Sequence, residues 1–308
     1  MAAVFPVAQG LNSMSGVYIP EIWAGKTLVK FYLSTVFGDI TNTDYEGEIK
    51  NMGDTVHIRT IPDITIRDYS IGMNLTYERP DPTIVDLLID KGKYYAMAIN
   101  DVEKIQSDLA YVDKWTDDAG QQLAIKIDEA ILGDVYADAN SSNAGNSAGA
   151  KSGAIKLGAS GSPLALDETN ILSVIVDCGV VLDEQNIPNT DRWMILPAMQ
   201  CGKIKKSDLK DASLTGDAQS VLRNGRIGGI DRFTIYMSNN IDTTTDGDYT
   251  VFNDMFGHKS AITFASQLVK NESLKNPSDF GDLLRGLQVY GYETIKDESL
   301  GHLYAYNG

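Results

Sequence analysis

The chain has 308 residues, 43% of them hydrophobic, enough to bury one substantial core with appendages in about two lobes. Lys and Arg number 26 against 42 Asp and Glu, and the formal net charge of -16 excludes a protein that binds nucleic acid through a basic face. No apolar run approaches the ~18 residues of a membrane span, and Met1 to Pro6 lacks the basic and apolar regions of a signal peptide, so synthesis and use in a cytosol are expected.

Residues 1–19 are small, polar or Gly-rich and read as an extended arm. Pro20 then opens a short helix from about Glu21 to Phe37, with Ile22, Trp23, Leu28, Val29, Leu33 and Val36 on its apolar side. From Thr43 to Ala98 the period changes to two. Val56 and Ile58, Ile64 and Ile66, then Val85, Leu87 and Ile89 alternate with polar neighbours, which predicts a long β-hairpin broken at Pro62, Pro80 and Pro82. With no third strand expected before the next helix, such a hairpin needs a packing surface outside its own domain, and another subunit is the natural one.

Asn100 to Ala137 is the longest helical pattern. Val102, Ile105, Leu109, Val112, Ala119, Leu123, Ile127, Ala130 and Ile131 form one stripe, broadened by Trp115. Asn100 is the expected N-cap, with Asp101 in the first turn and Glu103 in the capping-box position, and Gly133 softens the end. About 38 residues at 1.5 Å each would make a rod of roughly 55 Å. The Ser/Gly/Ala/Asn-rich stretch Ala139 to Pro163 reads as a flexible connection. A compact α+β lobe follows: a helix capped by Asp167 and carrying Ile171, Val174, Ile175, Cys178, Val181 and Leu182; the buried strand Arg192 to Leu196; and a second helix from Pro197 to Ser207. Strands over Phe233 to Met237 and Ser260 to Ala265 complete it. Leu283 to Ile295 and His302 to Tyr306 are two further strands, expected to return to the rod.

No catalytic, cofactor-binding or metal-binding residues emerge. His57, His258 and His302 lie in separate segments without metal-ligand spacing. Gly158 to Gly161 and Gly225 to Gly229 lack the signatures of phosphate or dinucleotide loops and read as turns. Asp117-Asp118 and Asp183-Glu184 diverge by ~100° on their helices, so they read as solvated faces rather than acid/base pairs. Cys178 and Cys201 read as buried, reduced thiols. Tyr94-Tyr95 and Tyr290, Tyr292, Tyr304 and Tyr306 could stack on single-stranded nucleic acid, but without basic neighbours half-buried packing is the better reading.

The order of arm, short helix, long hairpin, rod, α+β lobe and returning strands resembles the major capsid protein of tailed bacteriophages, the Hong Kong 97-type fold. The local phrases are Asp90-Lys91-Gly92-Lys93-Tyr94-Tyr95 running into Asn100-Asp101-Val102-Glu103, Arg192-Trp193-Met194-Ile195-Leu196-Pro197, Gly225 to Asn240, and Arg285 to Gly291. The resemblance implies an α+β Hong Kong 97-like fold with residues 1–42 as N-terminal arm, 43–99 as extended loop, 100–140 as the spine helix of a peripheral domain, 141–280 as axial domain, and 281–308 as peripheral strands. It implies a non-enzymatic subunit of the virion, assembled in the bacterial cytoplasm through pentamers and hexamers. The icosahedral shell encloses double-stranded DNA without sequence-specific binding and without a membrane. Portal and decoration proteins are implied partners, and a separate scaffolding protein is expected because no long acidic pro-segment precedes the arm. An encapsulin-type nanocompartment shell is the alternative with the same fold, and an unrelated enzyme or binding protein the third class. The type member joins an extended-loop lysine to a neighbour's asparagine, but Ile61 to Asp90 holds Arg67 and Arg79 and no lysine. Lys50, Lys91 and Lys93 sit at the base, and an uncross-linked shell is expected.

Overall fold

The computed structural model describes residues 35–44, 55–59, 61–62, 64–82, 84–101, 111–207 and 228–308. The expected arm and most of the 21–37 helix lie outside them. Only its end enters, where Val36 leads into a one-turn helix α1 (Phe37–Ile40).

The period-two region forms three strands. β1 (Thr55–Arg59) and β2 (Ile84–Leu88) pair antiparallel from Thr55↔Leu88 to Arg59↔Ile84. The buried positions are those the alternation marks, Ile58 and Leu87. The ladder is shorter than expected: residues 64–70 and 73–82 carry no strand, because Pro62, Pro80 and Pro82 bracket the limbs and offer no N–H. The limbs stay side by side, with Thr65 N–H donating to Glu78 (2.6 Å) and Arg67 paired to it (3.5 Å). A turn at Gly72, φ 88°, closes the tip.

A third strand does precede the rod. β3 (Lys91–Asn100) pairs antiparallel with β11 (Gly281–Thr294), which pairs with β10 (Ile262–Lys275). The hairpin base therefore packs on its own chain, Ile58, Leu87 and Ile89 meeting Ala265 and Val289. Backbone approaches so closely that a Cβ on Gly291 would meet the Leu88 carbonyl at 2.0 Å. Asn100 is the last residue of β3 opposite Gly281, and its Nδ2 donates to Asp279 at 2.9 Å. It ends the strand, and Asp101, the residue after it, is already helical, which keeps Asn100 in the N-cap position; Glu103 lies outside the described residues.

Among the described residues the rod is α2 (Tyr111–Leu132), 22 residues or about 33 Å at 1.5 Å per residue, with Asp101 helical ahead of it. Its apolar stripe buries Ile127, Ile131 and Leu132 completely. The helix stops one residue before Gly133, which pays most entropy in a helix, and tightens into a 3₁₀ turn over Val135–Asp138.

The stretch 139–163 is compact rather than a loose connection. Asn143 is fully buried and donates to the carbonyls of Glu298 (2.6 Å) and Leu300 (3.0 Å), while Ala148 and Leu157 enter the core. Its small residues permit that approach: at Gly158, φ 81°, a Cβ would stand 2.0 Å from the Tyr304 carbonyl.

The second lobe is a seven-stranded sheet in the order β4-β12-β9-β5-β7-β6, with β8 added on β9. Its strands are β4 (Leu164–Leu166), β5 (Arg192–Leu196), β6 (Gly229–Ile230), β7 (Phe233–Met237), β8 (Thr243–Asp246), β9 (Tyr249–His258) and β12 (Leu300–Asn307). α3 (Ile171–Glu184) and α4 (Ala198–Lys206) cover one face through Val174, Cys178, Leu182, Ile204 and Phe256. The other face meets α2 through Trp193, Ile195, Met255 and Ile127. Asp167 does cap, its Oδ1 accepting from Thr169 N (2.8 Å) and Asn170 N (2.9 Å) one turn ahead of the regular helix.

The last two strands part company. β11 belongs to the three-stranded sheet, whereas β12 pairs with β9 and β4. Grouping 281–308 as one returning unit, and 141–280 as the other, does not match the sheets: β10 joins β11, and β12 joins the larger sheet. Bonding outranks chain order here because β11 and β12 are separated by a 3₁₀ turn (Asp297–Ser299) that redirects the chain.

Candidate functional site: the assembly surfaces

The feature that stands out is what the hairpin leaves uncovered. Its base is buried, but beyond Arg59 the limbs carry Ile61 at 95% exposure, Ile66 at 89%, Ile71 at 97% and Tyr77 at 87%. Each such side chain would contribute roughly 1.5–3 kcal/mol on burial, and a monomer that leaves so many in water is built to have them covered. Between the limbs themselves the described polar contacts are those of Glu78 with Thr65 and Arg67. The Thr65 N–H bond holds the Glu78 carboxyl below its usual range.

A second junction joins α1 to the rod and to the larger lobe. Asp128, fully buried in the C-terminal part of α2, accepts from Val36 N and Phe37 N (both 2.9 Å) and from Asn240 Nδ2 (2.7 Å). Burial pushes this carboxyl up, and the three donors offset that. One side chain thus caps α1, holds Val36 and Phe37 on the rod and ties both to the larger lobe. Nothing in the local residue pattern marks this acid, which sits beside the apolar stripe.

The residues considered for chemistry do not converge. His57 pairs with Asp86 across the exposed hairpin (2.6 Å), His258 with Ser260 (2.8 Å), and His302 with Asn253 (3.1 Å). Among the described residues no group of three His, Cys, Asp or Glu side chains could hold a metal ion. Cys178 and Cys201 are free and buried, and burial pushes the Cys201 thiol up to about 11. Asp117 lies on α2 as a solvent-facing residue, but Asp183 and Glu184 are not a solvated face. Glu184 accepts from Lys151 N and Ser152 N, and Asp183 binds Arg192 and Arg232. Of the tyrosines, Tyr290, Tyr292 and Tyr304 are buried, Tyr306 stacks on Tyr249 at 4.1 Å, and Tyr94 is exposed. Tyr292 donates to Ala130 O (3.1 Å) and Asp134 (2.9 Å), which seats β11 on α2.

His302 carries a pH consequence. It is wedged between Tyr136 and Tyr304, and burial pushes it down from 6.5 to about 4. The fold holds it neutral, so its contribution is complete above pH 6.5 and is lost as pH falls from there through about 4, a total of about 3 kcal/mol. His302→Gln keeps a donor for Asn253 Oδ1 and removes the titration. Unfolding midpoints of the two proteins should diverge across that window, wild type falling faster on acidification; parallel curves would refute it.

A two-lobed α+β chain with a buried anchor for α1 and an apolar projection into solvent defines a structural subunit completed by neighbours. The phage capsid protein family model matches residues 85–296, and the chain belongs to that family. Its function is that of a major capsid protein of a tailed phage. Comparison with curated protein sequences gave no match. Among solved structures, a chain from Mycobacterium phage Che8 is 26% identical with a TM-score of 0.77, covering 92% of this chain and 96% of that one. The capsid of Cyanophage P-SCSP1u aligns over 97% of this chain and 98% of that one at 15% identity and TM-score 0.73. The mature capsid of bacteriophage PhiM1 aligns over 93% and 91% at 14% and 0.68. No helix among the described residues is long and apolar enough to cross a membrane.

Proposed function

We propose that the chain assembles through pentamers and hexamers into an icosahedral shell of the Hong Kong 97 type around double-stranded DNA. The observation that carries this reading is the projecting apolar loop, which in a closed shell lies across the neighbouring subunit. Residues 1–42 serve as arm and 43–90 as extended loop. α2 with β3, β10 and β11 makes the peripheral domain, and the seven-stranded sheet with α3 and α4 the axial domain. A net charge of -16 leaves the average interior unattractive to phosphate, so DNA is confined rather than bound and can slide during filling. A scaffolding protein directs assembly from outside the chain, and portal and decoration proteins complete the particle. Electron microscopy of purified particles, with nuclease-protected cargo extracted, tests this. Icosahedral shells holding long double-stranded DNA are expected; protein cargo instead of DNA would favour the encapsulin alternative.

Shell strength on this reading is non-covalent. The loop from Ile61 to Asp90 offers no lysine, and arginine stays protonated at neutral pH and is no nucleophile. At the base, Lys91 is engaged with Asp90 and lies over the Tyr292 ring, 4.5 Å from its centroid. Particles boiled in detergent should run as one band at the 33.6 kDa of the monomer. A ladder surviving boiling and reductant would overturn this.

A further inference from the structure

The core of the larger lobe contains an acid that assembly does not explain. Asp254 sits on β9, the strand between β12 and β5, and is 1% exposed. Its register partner is Leu303, and directly paired residues share a face; Leu303 and Phe256, two residues on, both lie in the core beneath α3 and α4. The carboxylate therefore points among apolar side chains. Both its oxygens lack a hydrogen-bond partner among the described residues, as do both polar atoms of Gln200, a fully buried residue of α4. Gln200 is the polar group that faces it.

Two adjacent buried residues with four unmatched polar atoms are a costly arrangement unless they satisfy each other. The facing groups settle the charge state such a pair can hold. From α4 come Gln200 and Cys201, with Lys205 acting on Cys201. From α3 comes Cys178 with Asp177 beside it. β12 and β5 contribute the apolar Leu303 and Met194. Neither facing thiol supplies positive charge, and no described cation pairs with Asp254. We propose that Asp254 and Gln200 form a neutral acid–amide lock between β9 and α4, the carboxyl O–H donating to Gln200 Oε1 and Gln200 Nε2 donating back. Alkali removes the proton to solvent, leaves an uncompensated carboxylate under α4 and loosens the helix from the sheet. Burial pushes the Asp254 carboxyl well above its usual range, in keeping with this. The lock makes the larger lobe alkali-sensitive at one residue, independently of how subunits contact each other.

The test compares full-length unassembled wild type with Asp254→Asn and Gln200→Leu. A native state that keeps a proton the unfolded chain loses becomes less stable with rising pH. The wild-type unfolding constant, relative to Asp254→Asn, should therefore rise about tenfold per pH unit between pH 5 and pH 8. Infrared spectra of carbon-13-aspartate-labelled protein at pH 7 should show a protonated-carboxyl band in wild type that Asp254→Asn removes. In Gln200→Leu that band should move to the higher frequency of an unpaired acid, a readout that holds even if Asp254→Asn does not fold. Parallel pH curves, no such band, or a band unmoved by Gln200→Leu would overturn the lock. So would wild-type stability that tracks sodium or potassium concentration at fixed ionic strength, which would mean an ionised Asp254 holding a cation.

Discussion

A chain in which residues 60–83 are replaced by Asn-Gly folds, stays in solution and makes no closed shells. The fold survives because the hairpin base is anchored by its own contacts. The ladder from Thr55↔Leu88 to Arg59↔Ile84 remains, Ile58, Leu87 and Ile89 keep their seat against Ala265 and Val289, and a two-residue turn can close the final Arg59↔Ile84 pair. Assembly fails because the deletion removes Ile61, Ile66, Ile71 and Tyr77, the most exposed large apolar side chains of the loop. Shell contacts are individually weak and repeat in every copy, so losing one class of contact removes it everywhere at once. The readouts are the unfolding midpoint, expected near wild type, and electron microscopy with sedimentation, expected to give only small species. Normal shells would refute the role given to the loop. A midpoint far below wild type would instead show that the limbs support the subunit's own fold.

The parts legible in the sequence were those with a single uncovered face. The rod's stripe at Leu123, Ile127 and Ile131 and the alternation at Val56, Ile58, Val85 and Leu87 each report a surface with one wet side, and each lands as expected. β9 was invisible for the opposite reason. Tyr249–His258 is buried on both faces from Asn253 to Gly257, with the polar pair Asn253-Asp254 in the middle and no period of two to read. The stretch 139–163 misled because small polar residues signal a linker when they face water, and a close-packed turn when Gly158 must lie against another backbone. At Asn100 the helix-start signal was legible, since Asp101 is helical, but the strand that Asn100 also ends opposite Gly281 was not. Assembly surfaces were legible only as an excess of apolar residues with nothing nearby to cover them. The Asp128 junction was not legible at all, since its partners Val36, Phe37 and Asn240 are backbone and side chains distant in sequence.

Arg192→Met should be among the most damaging single changes, although it removes no shell contact and leaves an apolar side chain of similar length. Arg192 is the first residue of β5, and its side chain is fully buried. Its guanidinium donates to the carbonyls of Ile187 (2.6 Å), Pro188 (2.8 Å) and Gly179 (3.3 Å) and to Asp183 Oδ1 (2.8 Å). One planar fork thereby closes the end of α3 and holds the segment 185–191, which takes left-handed backbone at Asn186 (φ 58°) and Asp191 (φ 54°). Burial alone would raise Asp183, but Arg192 and Arg232 together hold its carboxyl below the usual range. Methionine fills the space yet strips donors from three carbonyls at about 1–3 kcal/mol for each acceptor left dry. Relaxation recovers part of this, and breaking a buried pair costs about 3–5 kcal/mol in all, a large fraction of the 5–15 kcal/mol that holds a domain together. Arg192→Lys should fall between, because an ammonium cannot reach acceptors set out for a fork. Arg232→Ala is the control: it binds the same Asp183 from a side chain 32% exposed, and its loss should cost no more than about 1 kcal/mol. Urea unfolding of the three unassembled variants distinguishes these, and an Arg192→Met cost no larger than that of Arg232→Ala would show that the carbonyls find water and that the buried fork is dispensable.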